Sequence, residues 1–512
     1  FTELFIPNSV STIEEYAFTN CTSLETVVFE TGNTVLKTIE EYVFANDAKI
    51  TQMKVADSLG ADLTGLFNTF PSSVTEIQEG ALFNNASLTS FVVEKNVDTM
   101  GEKVFGGCIS LSEVTLPFIG EHRYATNPED VTTFGHIFGK SVEGIPTENQ
   151  GSLAEVEQNK ISYYIPKSLT KVSITDDTKI KDYGFENVES LRSVELPEGY
   201  GSETFKEVGA YAFNNCTGLE GIEFPQTTEV IGAYAFNNCS NASFTELFIP
   251  NSVSTIEEYA FKNMTKLVTV TFADEISLAE ISTGTFYNNT ALKTVITKEN
   301  KANDIVTIPG TVTTLGDYVF FNILSAVEVV LPAQIETIGK AILGGAGNVT
   351  HLTTPFIGDQ KYGICEYEPT YDSEKTVFGY FFGAEEEYAL YDESIRSSFQ
   401  SVLQRYGSAE SMEKSYYIPT ALQNVSITHT QVVHYGTFYN VAGLEHVVLP
   451  EELLSIEAYA FYNARDLKTV FFGEDNTASS LTEIGASAFE DAVSLTHFNS
   501  NSATSEVAYL VL

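Results

Sequence analysis

Basic residues are scarce in this chain: 27 Lys and Arg stand against 69 Asp and Glu, giving a formal net charge of −42. That deficit argues against nucleic-acid backbones and anionic membranes as partners, because like charge repels them. It leaves room for a self-repelling soluble surface, a basic partner or weak cation binding. Long hydrophobic runs are missing too; none approaches the roughly 18 residues that a bilayer span needs. Cysteines number only five, and four of them (Cys21, Cys108, Cys216, Cys239) lie three residues after a Phe. In a repeat this spacing makes one core-facing column, where thiols serve as small apolar side chains rather than as a disulfide framework. Only Cys216 and Cys239 fall on adjacent repeats and could meet, and Cys365 belongs to no column. The sequence shows no initiator Met and no signal peptide at Phe1. The sequence thus reads as opening inside a repeat, as a processed product, a trimmed chain or the ordered part of something longer.

What is present is repetition, with 43% hydrophobic residues to build a continuous core. A small residue, an anchor that is Phe in thirteen cases and Leu in one, a short Asn/Cys/Gly-rich turn and an apolar strand opening recur fourteen times. The anchors are Phe18, Phe44, Phe83, Phe105, Phe185, Phe213 and Phe236, then Phe261, Phe286, Phe320, Leu343, Phe438, Phe461 and Phe489. Residues 1–18, FTELFIPNSVSTIEEYAF, return letter for letter at 244–261. Repeat arrays of this kind work through surface rather than through a catalytic pocket.

Within one coil, Leu24, Val27 and Phe29 follow the anchor in the spacing L-x-x-V-x-F. The last two share one face of a strand, and Leu24 enters the core from the turn before it. The triplet returns as Leu111/Val114/Leu116, Leu191/Val194/Leu196 and Leu467/Val470/Phe472. Pro often closes the strand (Pro117, Pro197, Pro450), since it cannot donate a further ladder bond. Most anchors lie 22 to 28 residues apart, the length of one leucine-rich-repeat coil. The expected fold is a β-rich solenoid: about fourteen coils of short parallel strands and turns, little helix, and two insertions.

The pattern S-L-x-x-V-x-L-P…V-x-x-I-x-x-x-A-F-x-N-C-x-x-L, clearest in Ser190–Pro197, Ala212–Leu219 and Val253–Phe261, resembles the BspA-like class of leucine-rich repeats. The resemblance covers most of the chain apart from the insertions and the last dozen or so residues. It implies a secreted or cell-surface protein that binds extracellular or cell-surface proteins, in adhesion to a host or to neighbouring cells.

Two units are expected, residues 1–243 and 244–496, followed by a tail or further coil at 497–512, all in one continuous solenoid. Each unit is interrupted once, at about 118–162 and about 356–415. The interruptions are relatives: PFIG at 117–120 and 355–358, FGHIFG at 134–139 and FGYFFG at 378–383, and SYYIP at 162–166 and 415–419. Residues 385–405 of the second could form a short helix. Without these segments the array would be featureless, so they are the first place to look for binding. On one reading Phe134, Phe138, Phe378 and Phe382, with Tyr163 and Tyr416, present a recognition surface. On the other, the rings pack the insertion onto the solenoid flank, and 121–133 and 359–376 form the exposed variable part; large aromatics serve burial first.

No catalytic or metal-binding constellation emerges, and no cofactor is implied. Gly139-Lys140-Ser141 lacks the earlier Gly of a phosphate loop, Phe134 standing in its place. The seven His are scattered, and His429 and His434 are five apart, the wrong spacing for a metalloprotease helix. Glu385–Glu387 and Asp176-Asp177 read as solvated charge. Nine N-x-S/T sequons (Asn20, Asn85, Asn215, Asn238, Asn241, Asn263, Asn288, Asn348, Asn424) are glycosylation candidates that turn chemistry also explains. The sequence therefore points to a non-enzymatic binding protein. The alternative is a structural subunit of a filament or surface array, self-associating head to tail through open solenoid ends.

Overall fold

The computed structural model describes residues 1–57, 68–123, 131–197, 204–298, 304–361, 373–407, 412–473 and 480–500. The chain divides into two compact units, Phe1–Phe244 and Thr245–Leu512. Each is a solenoid of stacked parallel strands. In the first, strand Glu3–Ile6 pairs with Thr26–Glu30, which pairs with Gln52–Ala56, all in parallel. The register aligns Leu4 with Val27 and Met53, and Ile6 with Phe29 and Val55, so residues two apart form continuous inward columns. In the second unit ten parallel strands make one sheet, from Glu246–Ile249 to His497–Ser500.

The turn that carries the anchor is a second ladder. The N–H groups of Tyr16, Phe18 and Asn20 donate to the carbonyls of Glu41, Val43 and Ala45 on the next coil, at 3.0, 3.0 and 2.9 Å. The first and last residues of this pentad take a left-handed backbone: φ is 58° at Tyr16 and 63° at Asn20, and the same holds at Tyr211/Asn215 and Tyr459/Asn463. Asn tolerates that region, whereas a bulky Tyr adopts it only when its surroundings over-determine it, as the inter-coil hydrogen bonds do here. Behind the turn the anchor rings stack nearly parallel, as in Phe185–Phe213 (5.3 Å, 14°), Phe213–Phe236 (5.1 Å, 11°) and Phe461–Phe489 (4.9 Å, 6°).

One anchor is displaced from its expected position. Phe44 N–H donates to Ala81 O and Leu82 N–H to Val104 O, which puts Leu82, not Phe83, in the column between Phe44 and Phe105. Phe83 points the other way and packs with Ala45, Ile145 and Leu153 under the first insertion. The rule that a small residue precedes the anchor holds, because Ala81 stands before Leu82.

The coil count also changes, to about nineteen rungs among the described residues instead of about fourteen. The additional rungs carry no anchor. They are Glu3–Ile6, the isolated bridge of Thr69 to Val92, strand Ile305–Thr307, and strands Lys171–Ile174 and Asn424–Ile427 where the repeat resumes after each insertion. A rung is made by backbone pairing, and a short β-branched run suffices for that. The helix expected at 385–405 shrinks to one turn, Glu385–Tyr388, followed by a 3₁₀ segment Glu393–Ser398. Phe399–Arg405 is instead a strand in an antiparallel hairpin with Glu413–Pro419, matching the hairpin Leu153–Gln158/Ile161–Pro166 of the first insertion.

Cys108, Cys216 and Cys239 are buried free thiols, and Cys21 is a partly buried one. The buried three donate Sγ–H to the anchor carbonyl of the coil before: Leu82 O at 3.2 Å, Phe185 O at 3.1 Å and Phe213 O at 3.2 Å. Cys365 lies outside the described residues.

Candidate functional site

The FGxxFG segments fill the gaps that the insertions leave in the Phe column. Phe138 lies 6.3 Å from Phe105 and Phe134 lies 4.9 Å from Phe185, with 5.2 Å between the two. In the second unit Phe378 lies 5.1 Å from Phe438 and 5.4 Å from Phe382, while Leu343 N–H donates to Phe381 O. All four rings have no exposed surface, and Tyr163 and Tyr416 are 0% and 3% exposed. The recognition reading of these six side chains is therefore corrected: a partner cannot reach them, and they close the core. Of the stretches expected to be exposed and variable, 124–130 and 362–372 lie outside the described residues.

Two residues that sequence reasoning missed hold these segments in place. Gln158 Oε1 accepts from Gly135 N–H at 2.7 Å, and its Nε2 donates to Gly184 O at 3.2 Å. Gln404 repeats this with Gly379 N–H at 2.6 Å and Thr437 O at 3.0 Å. Both glutamines are fully buried. Gly135 and Gly379 are required for contact: a Cβ there would sit 2.3 Å from the side chains of Tyr163 and Tyr416. The available signal was the repeated Val-x-Gln, at Val156–Gln158 and Val402–Gln404, each ahead of SYYIP.

Charge pairs expected to be solvated are partly internal. Glu387 is 7% exposed and accepts from Ala384 N–H (2.9 Å) and Tyr318 O–H (3.2 Å), with Lys340 Nζ at 3.4 Å. Asp177 is buried, and Asp176 pairs with the buried guanidinium of Arg123.

Most sequon amides are engaged between coils. Asn215 donates to Asn187 Oδ1 (2.7 Å), Asn238 to Asn215 (3.0 Å) and Asn288 to Asn263 (2.9 Å). Asn241 and Asn348 donate to the carbonyls of Gly218 and Leu324. Asn85 is fully buried and gives its amide hydrogens to Phe44 O and Leu82 O. Asn20 is exposed.

With the aromatic knobs internal, the surface that stands out is the outer face of the ten-stranded sheet in the second unit. Alternation turns Val270/Phe272, Leu352/Thr354, Val447/Leu449 and their equivalents inward. Two outward lanes remain. One runs through Thr269, His351, Asn424, His446, Thr469 and His497, with Thr294 at the same register but buried; the other through Thr271, Ile296, Val330, Thr353, Ser426, Val448 and Phe471. Polar side chains of the first lane are tied across rungs: Asn424 Nδ2 lies 3.0 Å from His351 Nε2, and His446 Nδ1 lies 2.8 Å from Thr469 Oγ1. Carboxylates enter the outward positions of these strands only at Glu246 and Glu328. Near the start of the sheet Phe248 is 39% exposed.

The first unit differs on its corresponding face. There Lys171 Nζ bridges Glu113 at 3.1 Å and Glu195 at 2.9 Å, three charges across three adjacent rungs. The contrast is one of chemistry, since the second unit offers hydroxyl, imidazole and apolar groups in a regular array and almost no charge. Among the described residues no group of three or more His, Cys, Asp or Glu is placed to hold a metal ion. No described helix is long and apolar enough to cross a membrane. The lanes were legible in T-V-T-F, H-L-T-T, N-V-S-I and H-V-V-L, where every second residue is the outward one.

The sequence profile of the BspA type leucine rich repeat region matches residues 1–118, 159–293, 298–360 and 410–510, in six copies. Among solved structures the chain is similar to a leucine-rich repeat protein from Bacteroides ovatus, with 17% identity over 68% of this chain and 85% of that one and a TM-score of 0.35. It is similar to the T. pallidum leucine rich repeat protein, with 20% identity over 46% and 77% of the two chains and a TM-score of 0.26. A leucine rich cell surface protein from Faecalibacterium prausnitzii matches at 14% identity, 98% and 80% coverage and a TM-score of 0.18. None of the curated proteins matches the chain. With most of its length matched to the profile in phased copies, the chain belongs to the BspA-type leucine-rich repeat family.

Proposed function

We propose that this chain is a non-enzymatic extracellular or cell-surface binding protein whose second-unit sheet face contacts other proteins. One observation carries the reading. In a chain of net charge −42, the outward positions of ten consecutive strands hold two carboxylates. Acidic proteins meet repulsion over most of such a chain, and a face poor in carboxylates relieves it. Contact there would rest on hydrogen bonds and apolar burial, so its affinity should change little between low and physiological salt. The family resemblance supports display outside the cell, and the size of the face supports a macromolecular partner.

The test uses immobilised extracellular matrix proteins, fibronectin and fibrinogen among them, against the whole chain and against Thr271→Asp/Val448→Asp. Saturable binding, weakened at least tenfold by the two aspartates, is expected. Saturable binding untouched by them would move the site off this face, and no saturable binding at all would sink the reading. If the protein passes through a eukaryotic secretory route, the folded product should carry no glycan at Asn85, whose amide is internal, while Asn20 is open to one; peptide mass mapping reads this directly.

A further inference from the structure

Polar side chains three residues after the anchor reach the coil before in one of two ways: four donate to its anchor carbonyl, and Asn289 instead accepts from Met264 N–H at 2.9 Å. Asn85 Nδ2 donates to the carbonyl of Phe44, the anchor of the coil before, at 2.8 Å. Cys108, Cys216 and Cys239 donate in the same way to Leu82, Phe185 and Phe213. In these four the side chain supplies a hydrogen to a buried carbonyl. Asp47 occupies the position after Phe44: its backbone carbonyl accepts from Ile50 N–H at 3.0 Å, as that of Cys21 accepts from Leu24 N–H at 2.7 Å. The Asp47 residue is fully buried, and no side chain bonds its carboxyl oxygens, which the backbone N–H of Cys21 faces. The anchor carbonyl its column position addresses is that of Phe18.

We propose that Asp47 is held as the neutral acid, donating its proton to Phe18 O, and that loss of this proton opens the first coils of the first unit. An ionised carboxylate has no hydrogen to give the Phe18 carbonyl, and here it would be buried with the Cys21 backbone N–H, rather than a cation, facing it. The facing side chain from the coil before is the Cys21 thiol, and from the coil after it is Asn85, whose Oδ1 is a buried oxygen without a donor. Among the described residues no Lys or Arg makes an ion pair with Asp47. Burial pushes the carboxyl up to about 7. The sign follows from proton linkage. A carboxyl whose folded value exceeds its unfolded one contributes stability that is intact at low pH. That stability drains as pH climbs from the free-carboxyl range to about 7, and changes no further above it.

Amide hydrogen exchange on the whole chain tests the device, read at Tyr16, Phe18 and Asn20, whose N–H groups bond the second coil. After correction for intrinsic exchange, their protection should fall roughly tenfold per pH unit between pH 5 and 7. Asp47→Asn, which keeps a donor and cannot ionise, should be flat with pH; Asp47→Cys, the residue this column carries elsewhere, should be flat as well. Difference infrared spectroscopy should show a protonated carboxyl at pH 6 that both variants lose. Protection that is flat in the native chain, or a slope that survives in both variants, overturns the proposal.

Discussion

Phe213→Ala should lower the stability of the first unit by about 3–5 kcal/mol, the usual loss when a buried ring is truncated to a methyl group. Phe213 has no exposed surface and sits between two rings, Phe185 at 5.3 Å and Phe236 at 5.1 Å. Truncation removes its transfer free energy, leaves a cavity and ends two stacking contacts, each worth about 0.5–1.5 kcal/mol beyond burial. Neighbouring coils cannot collapse into the space, because the Asn and Tyr backbone ladders fix their separation. Phe213→Leu should be far milder, about 1 kcal/mol, as the column already accepts Leu82 and Leu343. An exposed control, Phe248→Ala, should stay within about 0.5 kcal/mol. Long repeat arrays depart from two-state unfolding, so exchange rates resolved by coil are the suitable measurement. Equal losses for Phe213→Ala and Phe213→Leu would show that ring stacking, not filled volume, holds the coils together.

Gln158→Leu should cost about 3 kcal/mol by a different mechanism. Leucine fills most of the space and creates no large cavity. It leaves Gly135 N–H buried without a partner, at roughly 1–3 kcal/mol, and takes from Gly184 O the second of its two donors, for about 1 kcal/mol more, since Phe134 N–H still bonds that carbonyl. The damage should be confined to the first insertion and the coils it bridges, seen as faster exchange at Phe134 and Phe105, whose N–H groups bond Gly184 O and Ile137 O. Gln404→Leu should repeat this in the second unit. A mild outcome for both, under about 1 kcal/mol, would mean that the Phe and Tyr packing alone seats the insertions.

Much of the fold was legible because a repeat states its pattern many times. The columns of Val114, Val172 and Val194 follow directly from the spacing of apolar residues, and their burial agrees. What escaped was less regular. Phe83 looked like an anchor because it is a Phe, but the preceding Ala81 sets the phase and places Leu82 in the column. The rungs at Thr69 and at Ile305–Thr307 carry no anchor, so a search by anchors passes over them. Residues 399–405 alternate in burial as a strand does, and their partner strand lies beyond a loop, out of reach of local pattern. Of the site, the insertions were visible while the role of their aromatics was settled only by burial. The outward lanes were overlooked because attention to the core follows every second residue and discards the others.

The turn ladder has a mechanical consequence. Hydrogen bonds between coils lie along the stacking direction, so under tension between the ends of a unit every interface carries the same load and they give way one coil at a time, the weakest first. Each coil that peels away frees a segment of about 23 residues, as between Phe213 and Phe236, or roughly 75 Å at about 3.3 Å per residue. It gives up only about 5 Å of stack height. A unit under load would therefore lengthen in steps, each absorbing work while the coils behind it stay folded.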